Sequence, residues 1–331
     1  MNLEEAMKLL AAISEPKVER SKQYGVGGSD ISVICNLNPH KSKVHLWMEK
    51  TGKTEPEDLR NNKLVKAGTL LERFVIENYF SPEHPEYEIF YPDRTFLGNE
   101  IWQKANIDAL LYHKELGFGA LDVKTGRDLS KHFWQDEEKN FVVKDMYELQ
   151  AQWYYHCIPQ LNYFIFPVFL GGYDYFEVET ERKQAIIEAI LPIVTQFWQD
   201  VEDNTIPEID GRECTTDALK QLYAEAIKDE VVFDFDNQIE DEITNYLELK
   251  SQISELEKQK NYFENQLKSK IADYERGNFK NLFEIKYPNY ERKSYDTKLL
   301  LELYPDIAKQ VEKTTKYRMF SVKQFKSKEK K

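Results

Sequence analysis

Apolar residues in the opening stretch MNLEEAMKLLAAISEP recur at helical spacing around Glu4 and Glu5, and Pro16 ends the pattern. A basic run, Lys17, Arg20 and Lys22, leads into Gly25-Val26-Gly27-Gly28-Ser29-Asp30. The clustered glycines admit close backbone approach, and Ser29 is placed to cap the short helix that follows. Ser42 opens another helix that ends at Gly52. Residues 64 to 80 form a third, with Leu64, Ala67, Leu71, Phe74 and Val75 as its apolar stripe and Gly68 and Glu72 together elsewhere on its surface. Strand character begins near Tyr87 and recurs over residues 104 to 112 and 118 to 124, and the turn at residues 113 to 117 predicts a hairpin. Residues 143 to 157 read as helix, with Met146, Tyr147, Gln150 and Tyr154 at three- and four-residue spacing. Two apolar runs, 161 to 170 and 173 to 179, meet at Gly171-Gly172 as a second hairpin, and a helix from 181 to 203 closes the unit.

From Asp210 the composition changes. Residues 237 to 275 read as one long helix in which Ile239, Tyr246, Leu249, Ile253, Leu256, Phe263 and Leu267 follow a heptad seam interrupted by Lys260. Either the seam packs on its own domain, the blander expectation, or it pairs as a coiled coil. A hairpin over residues 282 to 288, a helix over 296 to 311 and a last strand over 317 to 325 follow, ending in a lysine tail. The pattern predicts an α/β domain over residues 1 to 209 and an α+β extension over residues 210 to 331.

Hydrophobic residues make up 41% of the 331, and aromatics 13%, ample for a packed core. Cys35, Cys157 and Cys214 are widely spaced, which argues for a reducing compartment and against a cysteine metal site, so any metal sits on oxygen or His ligands. No basic n-region precedes an apolar core, and the longest apolar run, about residues 163 to 170, is far below the roughly 20 residues that span a bilayer. A soluble, cytoplasmic protein without a membrane partner is expected. Net charge is −13, which disfavours a non-specific nucleic-acid coat, but the charge is uneven: residues 229 to 242 hold seven acids and no base, and residues 313 to 331 hold eight bases and one acid.

The sharpest chemical signal is Asn106-Ile107-Asp108 on one strand and Leu121-Asp122-Val123-Lys124 on the next. Alternation along a strand puts Asp122 and Lys124 on one face, about 7 Å apart, with Leu121 and Val123 in the core. With Asp108 facing the same way, two carboxylates converge beside a lysine. Such hard oxygen ligands suit Mg²⁺, with Lys124 orienting or helping to deprotonate the attacking water. Most Asp-x-Lys triplets are only the polar face of an edge strand. Here the flanking Ile107, Ala109, Leu121 and Val123 argue for a half-buried setting.

The succession Gly25-Val-Gly-Gly-Ser-Asp30, Gly68 with Glu72, Asp108, Asp122-Val-Lys124 and Tyr147-Glu-Leu-Gln150-Ala-Gln152 resembles the YqaJ-type viral recombinases, which are similar to phage lambda exonuclease. The resemblance covers residues 18 to 203 and implies a PD-(D/E)xK nuclease core, a central mixed sheet flanked by helices. It implies that Asp108, Asp122 and the Val123 carbonyl bind Mg²⁺, with Mn²⁺ able to substitute, and that Glu72 stands near the metal. Lys124 would handle the water, Gln150 would contact Lys124 or the scissile phosphate, and Ser29 and Asn106 would meet the DNA 5′-phosphate. Two departures stand out. Asp122 occupies a position where many relatives carry Glu, and Gln23 one where an arginine for the 5′-phosphate is expected, leaving Arg20 or Lys22 for that role. The tail, in Arg292, Asp296, Lys298 and Tyr317-Arg-Met-Phe320, resembles extensions of phage members.

The function expected is therefore 5′ to 3′ exonuclease action on linear double-stranded DNA, leaving 3′ strands for a single-strand annealing protein. The resemblance also implies a homotrimeric ring, in a phage- or prophage-bearing bacterial cytoplasm. A DNA-end-binding or partner-docking protein with a vestigial site, or an endonuclease or repair nuclease of the same superfamily, are the alternatives. Gly52-Lys53-Thr54 lacks the upstream glycine of a phosphate loop, Trp47 standing there, and the six histidines contain no His-Glu-x-x-His pair. Ser29 has no sequence-local base to make it a nucleophile. Tyr154, Tyr155, Tyr163 and Phe164 read as core rather than as a stacking platform for single strands.

Overall fold

The computed structural model describes residues 3–16, 24–55, 63–226, 235, 239–315 and 317–323. Arg20, Lys22, Gln23 and the lysines at 326, 328, 330 and 331 lie outside the described residues. The chain forms two compact units, Met1–Tyr223 and Ala224–Lys331.

In the first unit, helices α1 (Leu3–Ala12), α2 (Gly28–Ile34), α3 (Lys43–Lys50) and α4 (Lys63–Val75) appear where the periodicity puts them. Ser42 caps α3, its hydroxyl accepting from the His45 N–H at 3.1 Å. The sequence places Ser29 as the cap of α2, but Gly27 is the N-cap and Asp30 reaches back to accept from its N–H at 3.0 Å, leaving Ser29 exposed in the first turn. α4 continues through a π turn (Ile76–Phe80) into the short α5 (Ser81–Glu83). A short strand, β1 (Ser14–Pro16), follows α1 and pairs with β3 (Arg94–Leu97), which pairs with β4 (Lys104–Ala105). No signal in the sequence announced β1. It is anchored by Glu15, which accepts from the buried Lys104 ammonium at 2.5 Å.

The main sheet is mixed. β2 (Glu88–Phe90) pairs with β5 (Ala109–His113), and β5 forms the expected hairpin with β6 (Gly117–Leu121). β6 and β7 (Lys124–Gly126) both run parallel to β8 (Leu161–Leu170), Leu121 opposite Ile165 and Lys124 opposite Val168. They are two pieces of one line along the same edge of β8 in one register, and the single strand expected over residues 118 to 124 loses only its ladder bond at Asp122–Val123, where Pro167 on β8 has no N–H to donate. β9 (Asp174–Thr180) closes the other edge of β8 through a turn in which Gly171 and Gly172 have φ of 61° and 85°. Helices α6 (Asp145–Cys157) and α7 (Gln184–Glu202) pack on one face with α2 and α3. On the other face α4 and the π turn cover Ala109, Leu111, Leu121, Val123, Ile165 and Phe169. This is the α/β architecture the sequence predicts, and Leu121 and Val123 do face its core.

The unit extends past the compositional change at Asp210. α8 (Glu213–Leu222) lies on α3, burying Thr215 and Ala218, and Arg212 fastens its start by donating to the Asn38 carbonyl at 2.9 Å and to Asn36 Oδ1 at 2.8 Å.

The second unit carries α9 (Glu240–Ile271), a hairpin of β10 (Arg276–Phe279) and β11 (Phe283–Lys286), and two short helices, α10 (Thr297–Leu303) and α11 (Pro305–Val311). The one helix expected over 296 to 311 is divided because Pro305 cannot donate to the preceding turn. The last strand expected over 317 to 325 is not formed among the described residues 317 to 323, which have no ladder partner. All three cysteines are free, and Cys157 is buried, its thiol pushed up by burial. No described helix is long and apolar enough to cross a membrane.

A fragment of residues 1 to 223 is expected to fold alone, whereas one ending at residue 209 should lose at least about 2 kcal/mol, because removing α8 uncovers the apolar face of α3. Urea midpoints of the two fragments check this. Equal midpoints would show that α8 contributes nothing.

Candidate active site

The site lies where β6 passes into β7. Up to Asp122 the chain still follows the β8 ladder, the Asp122 N–H donating to the Ile165 carbonyl at 3.2 Å. The next β8 bond is missing because Pro167 has no N–H to donate, while the Val123 N–H points to the opposite, β5 edge and donates to Asp108 Oδ2 at 2.7 Å. Asp108 sits just before β5, its own N–H donating to the Leu121 carbonyl at 3.1 Å. The end of the β5–β6 ladder and a carboxylate therefore fix each other.

Asp122 is 5% exposed and forms an ion pair with Lys124. The Lys124 ammonium also donates to Gln150 Oε1 at 3.0 Å, and Gln150 Nε2 lies 3.4 Å from Asp122 Oδ1. Beneath the ammonium, the Tyr147 ring centroid is 4.7 Å away and that of Phe166 5.6 Å, close enough for cation–π attraction. Trp134 stacks on Tyr147 at 5.0 Å with planes 7° apart. Asp122 and Lys124 do share a face, as alternation predicts, but they touch directly.

The electrostatics follow from crowding. Burial first, then the neighbouring charges of Asp122 and Glu72, hold the Asp108 carboxyl well above the usual carboxylate range, against the Val123 N–H and Lys124. For Lys124 burial acts to lower the pKa, but Asp122 foremost among its neighbours outweighs it and the ammonium is held more firmly than usual. Burial likewise pushes the Tyr147 phenol up.

Glu72, half-buried on α4, joins the group through its charge on Asp108, and Gly68 one turn earlier lets α4 approach Thr125 on β7. Ser29 and Asn106 are tied to the framework separately. Asn106 Oδ1 accepts from the Thr95 hydroxyl at 2.7 Å. The glycine segment that carries Ser29 is pinned by Val26, whose N–H donates to the Trp102 carbonyl at 2.7 Å and whose carbonyl accepts from the Lys104 N–H at 2.9 Å. A Cβ on Gly25 would fall 2.1 Å from the Trp102 oxygen, and one on Gly28 would fall 2.3 Å from the Tyr154 ring. What the glycines approach closely is thus the protein's own strand and helix.

Tyr154 is the participant that sequence reasoning left in the core. Its hydroxyl accepts from Gln150 Nε2 at 2.9 Å, so it orients the amide whose oxygen holds Lys124. The i,i+4 spacing of Gln150 and Tyr154 on one helix was the signal for it. Phe166, which lies against the Lys124 ammonium from β8, and Trp134, which stacks on Tyr147 from the 3-10 turn Asp128–Trp134, had no such signal.

A family model described as the YqaJ-like viral recombinase domain matches residues 19–158. A Bacillus subtilis (strain 168) protein described as the uncharacterized protein YqaJ is 30% identical over 314 residues, 93% of this chain and 93% of that one. This chain belongs to the YqaJ-like viral recombinase family. Among solved structures it is similar to an alkaline exonuclease, LHK-Exo, from Laribacter hongkongensis, with 16% identity, a TM-score of 0.39 and coverage of 60% of this chain and 93% of that one. The same exonuclease in complex with dAMP aligns with 18% identity, a TM-score of 0.42 and coverage of 54% and 89%.

A carboxyl with a raised pKa stabilises the folded state while protonated, and that stability is lost as pH rises from the unfolded-state value through the folded one. In chelator, Asp108→Asn, whose amide oxygen can still accept from Val123, should therefore melt higher than the parent at pH 8. The advantage should vanish as the pH falls toward the unfolded-state carboxylate range. Thermal scans across that range check this, and an advantage that grows toward acid would show that Asp108 is not electrostatically frustrated.

Proposed function

We propose that this chain is a metal-dependent deoxyribonuclease that digests linear double-stranded DNA from its ends, 5′ to 3′, leaving 3′ single strands for an annealing protein. The observation that carries the reading is the convergence of Asp108, Asp122 and Lys124 where β6 passes into β7, with Gln150 clamping the lysine. Membership of a viral recombinase family supports it.

The donor set fits a hard divalent cation. Asp108 is a carboxyl whose ionised form burial and two neighbouring acids disfavour, a charge imbalance that a cation would relieve. Asp108, Asp122 and the Val123 carbonyl would hold Mg²⁺, with Glu72 nearby, and Mn²⁺ would substitute. When bound, the ion supplies the positive charge that polarises a phosphodiester and acidifies water.

The chain's own groups do the rest. In the metal-free protein Lys124 is an ammonium held by Asp122, so its role is to orient the attacking water and to face the developing negative charge, rather than to take a proton. Gln150, itself held by Tyr154, keeps the ammonium aimed, and Trp134 and Tyr147 keep bulk water from its underside. Ser29, exposed at the start of α2, and Asn106 receive the 5′-phosphate, together with Arg20 or Lys22. A homotrimeric ring would hold the DNA through successive cleavages, and the protein would work in the cytoplasm of a phage- or prophage-bearing bacterium. Residues beyond the first unit would position DNA or the annealing partner.

Linear duplex labelled at its 5′ or its 3′ ends, beside covalently closed circular duplex, tests the reading directly with and without chelator. Mg²⁺-dependent loss of the 5′ label from linear DNA alone is expected, and cutting of the circle would replace the end-directed reading with an endonuclease. Lys124→Ala should slow turnover at least about 10²-fold while calorimetry still detects Mg²⁺ binding. Collapse of Mg²⁺ affinity in that variant would make the lysine a structural support.

A further inference from the structure

α9 runs for 32 residues, about 48 Å, and among them Ile271 is the buried residue. Tyr246, Leu249, Ile253, Leu256, Phe263 and Leu267 succeed one another at intervals of three and four, with Lys260 filling the remaining seam position. Those six are between 38% and 65% exposed, and Phe320 touches the edge of Tyr246 alone. The seam expected to pack on its own unit thus lies open, with the strict alternation that lets two helices interlock over several turns.

Charge identifies what covers it. With Tyr246, Ile253, Lys260 and Leu267 as the first core position of each heptad, and Leu249, Leu256 and Phe263 as the second, the flank beside the second position carries Lys250, Glu257 and Glu264. The other flank carries Gln252, Gln259 and Gln266. Glu264 is already paired with Lys268 at 2.6 Å, whereas Lys250 and Glu257 have no ion-pair partner among the described residues. In a parallel pair Lys260 would face Lys260 of the other copy, and Gln252 and Gln259 would flank Glu257 and Glu264, with no ionic gain. In an antiparallel pair centred between Ile253 and Leu256, Ile253 meets Leu256, Tyr246 meets Phe263, and Lys260 lays its stem on Leu249. The two lysines are then apart, and Lys250 faces Glu257 on both sides of the centre. A slip of one heptad brings Lys250 against Lys250 or, in the other direction, sets Glu257 against Glu257 and offers Lys250 only Glu264, which Lys268 already pairs. Charge therefore selects both orientation and register.

We propose that α9 is a self-association surface on which the α9 of a second copy lies antiparallel, the Lys250–Glu257 pairs setting the register. The two-fold axis passes between Ile253 and Leu256, which makes the contact isologous and closed. This pairing uses the second unit alone and does not depend on the nuclease reading.

The test is sedimentation equilibrium of the full-length chain. Leu256→Glu should halve the mass, or halve the copy number of any larger assembly, with the helical circular dichroism band retained. Lys250→Glu should weaken association at least about tenfold, since two attractive pairs become two repulsive ones. Adding Glu257→Lys to Lys250→Glu should restore it. Association unmoved by Leu256→Glu would overturn the surface itself. A loss in Lys250→Glu that the double variant fails to restore, or no loss at all, would overturn the antiparallel register.

Discussion

One backbone amide organises the first unit. The Val123 N–H points away from β8, to the β5 edge just past the last β5–β6 pair, Ala109 with Leu121, and a buried donor left unpaired costs about 1–3 kcal/mol. Asp108 supplies its acceptor, which draws a carboxylate to the place where the strand has already turned Asp122 inward. Two acids are thereby forced together under α4 and Glu72, and the ion pair with Lys124 offsets only part of their charge. The end of the β5–β6 ladder, the crowding of the acids and the firm hold on the ammonium are thus one arrangement.

The surroundings explain why that arrangement stays in register. Lys124 is a flexible side chain, yet Asp122, Gln150 and the Tyr147 ring restrain its ammonium from three directions. Each restraint is itself held: Gln150 by Tyr154, Tyr147 by Trp134, and Tyr154 by the contact that only a glycine at position 28 permits. A side chain on Gly28 would push the Tyr154 ring and, through it, the amide on Gln150. The N-terminal strand is connected to the same framework, because Lys104 binds Glu15 through its ammonium, Val26 through its N–H and the Trp153 indole through its carbonyl.

Much of this was legible before the structure. Period-two alternation correctly separated Leu121 and Val123 from Asp122 and Lys124, and the glycine pair at 171–172 marked the turn between β8 and β9. Other features were not, for identifiable reasons. Alternation carries no information about a missing ladder bond, and the interruption at Asp122–Val123 is set by Pro167 on the facing strand, whose partner was not known from sequence. β1 is three residues long and owes its place to a buried ion pair that no local pattern encodes. Tyr154 looked like core because it is core, at 3% exposure, and only its hydroxyl contributes to the site. Composition shifted at Asp210 while packing continued to Tyr223, since the polar helix α8 is held by Arg212 and a narrow face around Thr215 and Ala218.

The two units also draw on different sources of order. The first buries aromatic and branched residues on both faces of a sheet, and its charged groups are positioned by that core. In α9, local pairs such as Lys258 with Glu255 and Lys268 with Glu264 lie in solvent, where screening leaves them little to contribute. Such pairs add little to a helix, and most helical stability in proteins comes from packing an apolar face. A helix that keeps a strict seam while leaving it open therefore gains most from a partner helix of matching period. Lys260 within that seam weakens any partner that would set a like charge against it, and so a position that costs stability contributes the choice of orientation.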